Sequence, residues 1–380
     1  MIQTVHCVDT LTGGVASVLF AFAKACSGIS FNFISVAPVN NASKRAIELA
    51  GGRLIAEDLS SSSALAGAIA AARDDYGADI FHVHRNWHNL RPCMFAKNAG
   101  YPVVISHSHN VFPSTSVLKD VYHFAFKRII KNYADCCWGC SPEAIDFLYG
   151  HSPKNPLFVP NPVSFDRFRY SQTARDEIRE KMGLGDCFVL IHSGLPIPQK
   201  NHRFLLRIFA GIKDEDPNAK LLLLGPSADS SPDLVGLAEE LGVRDSVIFC
   251  GYVDNPELYY SAADLFLFPS LNEGLGLALC EAQAEGLGFI AADTITRSSD
   301  LFGNGVFLPI DKGIDRWVEV ALSKRCFRSN PSSSAIASCP FNINYSAPLL
   351  ESTYRGLLEG TPWASLAALW GGDVECSSSC

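Results

Sequence analysis

The stretch DLFLFPSLNEGLGLALCEAQAEGLGFIAADT, residues 264–294, reads as a strand, a loop, a helix and a second strand. The run DLFLF is continuously apolar, as in a strand that is buried on both faces of a parallel sheet. Pro269 ends this strand, and we predict a helix from about Leu275 to Glu285 before the strand GFIAADT begins. A strand, a helix and a strand in succession predict a parallel βαβ unit.

The same alternation extends along most of the chain. The strand-like runs TVHCVD, FNFISVAP, DIFHVH and YPVVISHSH come first, and CFVLIHSG, AKLLLLGP and SVIFCGY come later. Between the two groups, the stretch VPNPVSFDRFRYSQ at 159–172 breaks the rhythm with two prolines, and we interpret it as a linker. The sequence therefore predicts an α/β protein with two doubly wound, Rossmann-like domains that face one another across a cleft.

The domain boundaries follow from this pattern. We predict an N-terminal Rossmann-like domain over 1–162 and a C-terminal Rossmann-like domain over 163–345. A final helix over 346–360 is predicted to cross back to the first domain, and 361–380 is predicted to be a flexible tail.

Composition limits the class of protein. Of the 380 residues, 48% are hydrophobic and 18% are charged, which predicts a well-buried globular protein and not a disordered one. The net charge of −8 gives no general attraction to nucleic acid. No run approaches the roughly 18 apolar residues of a membrane span, and the start resembles no secretion signal. Thirteen cysteines in such a chain predict reduced thiols and a cytoplasmic location.

Cys137 and Cys140 form one C-x-x-C pattern. A structural zinc site needs two further ligands at similar spacing, and no second C-x-x-C pattern exists in the sequence. We therefore expect core cysteines here, with a redox or metal role as the alternative.

Candidate binding residues follow the strands, because ligands of doubly wound sheets bind beyond the carboxyl ends of the strands. Gly13 and Gly14 follow the first strand and open a helix, whose free N–H groups suit an anion. A simple turn is the alternative. Lys200 follows LIHSG near a helix start, where the helix dipole disfavours a basic residue. A lysine in this place indicates a phosphate site, and a solvated lysine is the alternative.

The loop after DLFLF is richer in candidates. Gly274 and Gly276 let the backbone approach a ligand closely. Glu273 precedes the helix and can meet a sugar hydroxyl, although an acid also stabilises any helix start. Glu281 lies less than two turns inside the helix, where a carboxylate can bind both hydroxyls of a ribose.

Histidines concentrate in the first half of the chain. His82 and His84 alternate on one strand, as do His107 and His109, and His88 follows the first pair. Three interpretations stay open: a metal site, histidines of the core or strand ends, and histidines that hydrogen-bond a substrate. Because no carboxylate or cysteine accompanies them at ligand spacing, we predict no metal.

The stretch VLKDVYHFAFKRIIKNY, residues 117–133, is amphipathic and locally basic. It predicts either an ordinary packed helix with a solvated face or a helix that contacts an anionic membrane surface.

Taken together, these segments resemble the retaining glycosyltransferases of the GT-B fold, family four, and most of all the bacterial capsular and exopolysaccharide enzymes. The resemblance rests on GGVASVLFAFA, ISHSHN at 105–110, VPNPV, PQKNHRFLLRIFAGIKDEDPNAKLLLLG at 198–225, VIFCGYVDNPELYYSAADLFLFPSLNEGLGLALCEAQAEGL at 247–287, and DTIT at 293–296. It covers about residues 1–360, and it is most specific in the second domain.

The resemblance implies a metal-independent transfer of sugar from a nucleotide sugar. It implies that Glu281 binds the nucleotide ribose, Glu273 the donor sugar and Lys200 the phosphates. The residues that would line the donor through backbone atoms are Gly13, Gly14, Gly274, Leu275, Gly276 and Leu277. It also implies that His107 or His109 lies near the donor sugar.

One position departs from the family pattern. The family has an arginine about five residues before the lysine, in the context G-R-x-x-x-x-K, whereas this chain reads SGLPIPQK with Leu195 after Gly194. A guanidinium on the diphosphate stabilises the leaving group, so its loss predicts either reliance on Lys200 and a helix dipole or a weakened enzyme. Gly276 also replaces a common proline, which is a milder change.

The resemblance thus implies a retaining hexosyltransferase that moves a hexose or N-acetylhexosamine, from a UDP donor, to a saccharide or lipid-linked saccharide in cell-surface polysaccharide synthesis. It implies that the N-terminal domain over 1–162 binds the acceptor and that the C-terminal domain over 163–345 binds the nucleotide sugar. The implied enzyme needs no cofactor and no metal, and we expect it in the cytoplasm, peripherally at the membrane through 117–133. The alternatives are a catalytically silent nucleotide-sugar-binding protein and a GT-B nucleotide-sugar 2-epimerase. A dehydrogenase is disfavoured because no G-x-G-x-x-G follows the first strand.

Overall fold

The computed structural model describes residues 1–59, 61–111, 124–150, 153–325, 328–329 and 331–371. These form two compact units, one made of Met1–Pro162 with the segment from Ala337, the other of Val163–Ile336. Each unit contains one parallel sheet whose strands alternate with helices along the chain. The predicted α/β class with two Rossmann-like domains is confirmed.

The bounds of the elements are as follows. The first sheet contains β1 (Ile2–Val8), β2 (Ile29–Ser35), β3 (Arg53–Ala56), β4 (Ile80–Val83), β5 (Val103–Ser108), β6 (Cys136–Gly139) and β7 (Pro156–Phe158). The second sheet contains β8 (Val189–Ser193), β9 (Lys220–Leu224), β10 (Val247–Gly251), β11 (Leu265–Phe268), β12 (Gly288–Ala292) and β13 (Gly305–Leu308). The helices are α1 (Gly13–Ala25), α2 (Asn41–Leu49), α3 (Ser62–Tyr76), α4 (Leu90–Asn98), α5 (Pro142–Tyr149), α6 (Gln172–Lys181), α7 (His202–Glu215), α8 (Pro232–Glu240), α9 (Pro256–Ala262), α10 (Leu277–Ala284), α11 (Asp315–Ser323), α12 (Ser333–Ala337), α13 (Ile343–Leu358) and α14 (Trp363–Leu369).

Both sheets are doubly wound. The first has the strand order β3-β2-β1-β4-β5-β6-β7, and the second has the order β10-β9-β8-β11-β12-β13. In each sheet the order of the strands reverses once, between β1 and β4 in the first and between β8 and β11 in the second. Such a switch point leaves a crevice beyond the carboxyl ends of the strands, which is where ligands of this class bind.

Burial explains why these runs form central strands. All four residues of β11 are fully buried, as its continuous apolar sequence predicts, and β12 is buried along its length. Polar residues begin several helices: the Ser61 hydroxyl accepts from the Ala64 N–H at 3.1 Å, and the Ser141 hydroxyl does the same for the Ala144 N–H. These caps satisfy backbone N–H groups that a helix start leaves without a partner.

Two predicted boundaries differ from the structure near the C-terminus. The chain returns to the first unit from Ala337, before the predicted boundary at 345. The final helix of that prediction is α13, which begins at Ile343 because the Asn342 side chain accepts from the Asn344 N–H and caps it. Pro348 lies inside this helix, so it does not mark the helix start.

The predicted flexible tail at 361–380 is wrong for part of its length. Residues Trp363–Leu369 form α14, which packs against α13. Leu366 is buried, and the Trp370 indole N–H donates to the Thr353 hydroxyl at 2.8 Å. Burial of these apolar side chains holds the segment in place. Residues 372–380 lie outside the described residues, as do Cys376 and Cys380 of the tail.

The predicted amphipathic helix at 117–133 is described in part. Residues 117–123 lie outside the described residues, while 124–129 are helical and a 3₁₀ turn follows at Ile130–Asn132. Phe126 and Ile130 are buried and pack in the core of the first unit, and Phe124 is exposed. The Arg128 guanidinium lies 3.9 Å from the Phe124 ring centroid. In the part of the chain that is described, no helix is both long and apolar enough to cross a membrane.

Candidate functional site

A buried ion pair marks the switch point of the second sheet. Lys200 follows β8 and Glu273 follows β11, and the Lys200 ammonium lies 2.8 Å from a Glu273 carboxylate oxygen. Both side chains are largely buried, with 17% and 9% of their surfaces exposed. The Lys200 ammonium also lies 5.2 Å from the Phe268 ring centroid, within range of a cation–π contact. Sequence reasoning singled out both residues, and the structure brings them together.

Hydrogen bonds fix the two loops that present this pair. The Leu271 N–H donates to the Gln199 carbonyl at 2.8 Å, and the Gln199 amide donates to the Asn272 carbonyl at 2.7 Å. The Asn201 amide donates to the Pro269 carbonyl at 3.1 Å. Because the loop after β8 is tied to the loop after β11, the ion pair is positioned by backbone on both sides.

The turn into α7 explains the position of Lys200. Lys200 ends a 3₁₀ turn, Pro198–Lys200, and Asn201 follows with φ +54° before α7 begins. The Lys200 stem passes over Gly194, where an added Cβ would lie 3.0 Å from the Lys200 Cδ. A side chain at Gly194 would therefore push the lysine away from Glu273.

The predicted helix over 275–285 begins later than expected. α10 spans Leu277–Ala284 because Gly276 has φ +83°, which is left-handed and cannot continue a helix. A Cβ on Gly276 would lie 2.8 Å from Phe268, so both conformation and space require glycine here. The first N–H groups of α10, including that of Leu277, have no partner within the helix and are available to an anion.

Glu281 lies in the second turn of α10 and is partly buried. Burial raises the pKa of its carboxyl to about 7, against a hydrogen bond from Tyr260 and the positive charges of Arg167 and Lys200, which lower it. The Tyr260 hydroxyl donates to the Glu281 carboxylate at 3.3 Å. The carboxylate thus keeps acceptor capacity for hydroxyl groups of a ligand.

Two further histidines of the second unit lie beneath this site, and sequence reasoning missed them. His192 is buried on β8, and its Nδ1 lies 2.8 Å from the Leu267 carbonyl, so it donates there. His202 begins α7 and meets the His192 ring edge-on at 4.8 Å. Burial lowers the pKa of both rings, and the Lys200 charge lowers it further. In the sequence, each of these two histidines lies next to a predicted strand end or helix start, and this position could have identified it.

Leu195 stands where the resemblance predicts an arginine. Its side chain is 57% exposed, in the loop between β8 and the 3₁₀ turn. A pocket of about 390 Å³ lies beside this loop, lined by Pro196, Asn201, His202, Arg203 and the start of α8. Arg203 lies near Lys200 in the sequence, eight positions after Leu195. Its side chain lines this pocket, so it does not take the place of the expected arginine beside the ion pair.

Gly13 and Gly14 lie in the first unit and open α1 as predicted. Gly13 has φ +74°, and an added Cβ at either glycine would meet nothing within 4 Å. At the switch point of the first sheet, between β1 and β4, the Arg85 guanidinium lies 2.6 Å from Asp9. Burial alone would raise the pKa of Asp9, but hydrogen bonds from His88 and Arg85 hold it below its usual value.

The histidines of the first unit form one cluster. His107 and His109 lie at the end of β5 with their rings stacked at 4.2 Å, and His82 and His84 are their neighbours on and after β4. His6 on β1 completes the cluster, and sequence reasoning did not include it. The sequence places Thr4 and His6 on the same face of β1, because they alternate along the strand. The position of His6 beside β4 depends on the strand order, which this alternation does not show.

The cluster has the spacing of a metal site. Two triads, His6–His82–His84 and His84–His107–His109, each bring three ring nitrogens within 4.8 Å of one another. All five rings are buried, and burial lowers the pKa of each, so they are neutral near pH 7. Neutral imidazole is the form that binds transition metals. Among the described cysteines no disulfide forms, and both Cys137 and Cys140 are buried.

Residues 174–319 match the protein family described as "Glycosyl transferases group 1". The putative glycosyltransferase EpsF of Bacillus subtilis is 28% identical over 273 residues, which is 70% of this chain and 71% of EpsF. The D-inositol 3-phosphate glycosyltransferase of Actinosynnema mirum is 38% identical over 156 residues, 38% of this chain and 37% of that protein.

Solved structures show the same fold at low sequence identity. The crystal structure of Anabaena HepE in complex with UDP and glucose has a TM-score of 0.72 to this chain at 15% identity, covering 95% of this chain and 99% of that one. The apo form of the lipopolysaccharide outer core galactosyltransferase WaaB has a TM-score of 0.61 at 15% identity, covering 95% of this chain and 100% of that one. The predicted GT-B fold is confirmed by these likenesses.

Proposed function

We propose that this chain, of which residues 174–319 match the group 1 glycosyl transferases, is a retaining hexosyltransferase that uses a nucleotide sugar. The donor is a UDP-linked hexose or N-acetylhexosamine, and the acceptor is a saccharide or lipid-linked saccharide of cell-surface polysaccharide synthesis. No metal and no cofactor take part. The proposed location is the cytoplasm, with a peripheral membrane contact.

One observation supports this proposal above the others: the Lys200–Glu273 ion pair at the switch point of the second sheet. A nucleotide diphosphate carries negative charge, and Lys200 together with the N-terminus of α10 offers the positive charge that would hold it. Glu273 would turn from Lys200 to a hydroxyl of the donor sugar. Glu281 would accept hydrogen bonds from the two ribose hydroxyls.

The base and the acceptor are inferred from relatives. HepE has been crystallised with UDP and glucose, which supports UDP as the carrier. A relative from Mycobacterium tuberculosis, 30% identical over 169 residues, is named as a GDP-mannose-dependent phosphatidylinositol monomannoside mannosyltransferase. The name of that relative includes a lipid-linked acceptor. It also includes GDP-mannose, which is the alternative donor that an experiment must include.

The proposal is tested by release of free nucleotide from a panel of UDP-sugars and GDP-mannose. Slow hydrolysis of the donor needs no knowledge of the acceptor. We expect turnover with one UDP-sugar, a loss of roughly 100-fold or more in Lys200→Ala because one charge on the leaving group is removed, and a comparable loss in Glu281→Gln. Retention is checked by NMR of the released sugar before its anomers equilibrate.

Matched controls separate the site from general damage. Lys181→Ala and Glu240→Gln change the same residue types at exposed positions of α6 and α8. These variants should keep wild-type turnover. Equal losses in the controls, or full turnover in Lys200→Ala, would show that the reaction does not use the proposed site.

A second function is favoured by one observation, the exposed Leu195 in place of the expected arginine. A silent nucleotide-sugar-binding protein would bind UDP through Lys200 and Glu281 without turnover. It would be identified by calorimetric binding of UDP that Glu281→Gln weakens, together with no release from any donor when saccharide acceptors are supplied.

A further inference from the structure

An ion pair stands at the switch point of each sheet. In the second unit, Lys200 follows the first strand, β8, and Glu273 follows the fourth strand, β11. In the first unit, Asp9 follows the first strand, β1, and Arg85 follows the fourth strand, β4. Because β1 pairs with β4 as β8 pairs with β11, the two ion pairs occupy equivalent positions of their sheets.

The two ion pairs differ in the order of their charges and in their exposure. The cation follows the first strand in the second unit, whereas the carboxylate follows the first strand in the first unit. The Asp9 side chain is 49% exposed, and that of Arg85 is only 12% exposed. Solvent therefore reaches the carboxylate of the first unit far more than it reaches the guanidinium.

The Asp9 carboxylate keeps acceptor capacity for a ligand. Its Oδ1 accepts from the Arg85 Nε–H at 2.6 Å, and its Oδ2 lies 3.8 Å from the His88 Nδ1. Burial would raise the pKa of this carboxyl, but the contacts with His88 and Arg85 hold it below its usual value, so Asp9 is ionised at neutral pH. An ionised carboxylate offers about four lone-pair positions, and these two contacts leave others open.

Hydrogen bonds fix the loops that carry this pair. The Ala37 N–H donates to the Asp9 carbonyl at 2.8 Å. The Arg85 N–H donates to the Asn89 side chain at 2.7 Å, and the buried Asn89 amide donates in turn to the Ser106 hydroxyl at 2.9 Å. The carboxylate is thus positioned before a ligand arrives, which lowers the cost of ordering on binding.

The turn Asn86–His88 places the His88 ring beside Asp9. Asn86 has a left-handed φ of +48°, and its side chain accepts from the His109 N–H at 2.8 Å. The His88 N–H donates to the Arg85 carbonyl at 3.0 Å and closes the turn. The His88 side chain is 68% exposed, so its ring lies at the edge of the accessible carboxylate.

The charge of the accessible group selects the ligand. A phosphate group that approached this pair would meet the negative Asp9 carboxylate, which repels it. A hydroxyl group donates to a carboxylate in a charge-assisted hydrogen bond, which is stronger than one between neutral groups. The ion pair of the first unit therefore suits a neutral molecule rich in hydroxyl groups.

We propose that Asp9 binds a hydroxyl group of an uncharged sugar at the switch point of the first sheet, and that Arg85 is the positioning residue that holds the carboxylate. That this sugar is the acceptor rests on the proposed function; the binding of a sugar hydroxyl by Asp9 does not.

Binding is tested by long-range ¹H–¹⁵N NMR of the full chain labelled at histidine, because the His88 ring lies close enough to Asp9 to report on it. The probes are the methyl glycosides of glucose, galactose, mannose and N-acetylglucosamine, and inorganic phosphate, all at constant pH and ionic strength. We expect at least one glycoside to shift the His88 nitrogens, and phosphate at the same concentration to shift them less. No shift with any glycoside, or a larger shift with phosphate, overturns the proposal from the wild type alone.

Variants assign the binding to the carboxylate. Asp9→Asn keeps the shape and removes the charge, so it should bind the glycoside at least about tenfold more weakly, as expected for the loss of a hydrogen bond to a charged group. Asp74→Asn, at an exposed position of α3, should bind as the wild type does. Equal affinity in wild type and Asp9→Asn overturns the site.

The role of Arg85 is tested by two substitutions. Arg85→Met removes the cation and should weaken glycoside binding, while Arg85→Lys keeps a cation and should restore part of the affinity. Wild-type affinity in Arg85→Met, or no recovery in Arg85→Lys, overturns the positioning role.

UDP titration and UDP release separate this site from the proposed function. A wild type that binds UDP, but whose His88 ring responds to no glycoside, keeps the proposed function and loses this site. A wild type that binds a glycoside through Asp9, but neither binds UDP nor releases it from any donor, keeps this site and loses the proposed function. The glycoside that shifts His88 should also accelerate UDP release, and one that binds without doing so overturns its assignment as the acceptor.

Discussion

Gly276 stands at the turn between β11 and α10, and both its φ of +83° and its contact with Phe268 exclude a side chain. We expect Gly276→Ala to lower the free energy of unfolding by roughly 1–3 kcal/mol, the cost of a strained backbone residue. Gly236→Ala is the matched control, because this glycine lies inside α8 with open space around it and should gain up to about 1 kcal/mol. Chemical denaturation measures both, and a neutral Gly276→Ala would contradict the turn geometry.

Glu281 should make stability depend on pH. Burial raises the pKa of this carboxyl from its usual 4.5 to about 7, so the folded chain holds the proton more tightly than the unfolded chain does. Its contribution is complete below about pH 4.5 and is lost as the pH rises through about 7. Glu281→Gln cannot lose a proton, so its stability relative to wild type should rise over this window by about 1–3 kcal/mol.

The measurement is the melting temperature of wild type, Glu281→Gln and Glu240→Gln between pH 5 and pH 8. Glu285, whose pKa burial also raises to about 7, remains in all three proteins and cancels in the comparison. Parallel curves for wild type and Glu281→Gln would show that the Glu281 carboxyl titrates normally.

Among elements, α14 is the one that sequence reasoning assigned to a flexible tail. Leu366 is buried in it, whereas Leu369 of the same helix is 39% exposed. We expect Leu366→Ala to cost about 2–4 kcal/mol and Leu369→Ala less than about 0.5 kcal/mol. Chemical denaturation, monitored with a fluorescent probe on the first unit, measures both effects. Equally small effects would support the predicted flexible tail.

Sequence patterns predicted the buried strands well and the partly exposed or irregular elements poorly. β11 was predicted because four apolar residues follow one another without a charge, as in a strand that is buried on both faces. β3 and β13 have the same length but were not predicted, because most of their side chains are partly exposed. The start of α10 was placed two residues early, since the left-handed φ of Gly276 is a backbone property that composition does not state.

The site was predictable where it depends on position after a strand, and not where it depends on strand order. Lys200 and Glu273 each follow an apolar run, and the strand order places those runs side by side. The same order places β1 beside β4, which brings His6 into the histidine cluster. Such neighbours are distant in sequence, so no local pattern reports them.

On the scale of the whole molecule, the segment from Ala337 belongs to the first unit although it follows the second in sequence. Leu350 and Tyr354 of α13 are buried there, and the Glu351 carboxylate accepts from the Gly28 N–H at 2.9 Å. A chain that ends at Ile336 should therefore lose protection from hydrogen exchange in β1, β4 and β5. Protection in β8 and β11 should persist, because the second unit is complete without this segment.

Hydrogen exchange with mass spectrometry, on the full chain and on the shortened chain, checks this prediction. Loss of protection in both sheets alike would mean that the two units do not fold separately. Unchanged protection in both would mean that α13 adds nothing to the first unit.

The account depends most on the nucleotide-sugar site of the second unit, and titration of UDP by calorimetry tests it most directly. We predict that the wild type and the Glu240→Gln control bind UDP equally, and that Glu281→Gln and Lys200→Ala each bind it at least about tenfold more weakly, the loss of one charged hydrogen bond. UDP affinity that is unchanged in both site variants would contradict the account, because the nucleotide would then lie elsewhere.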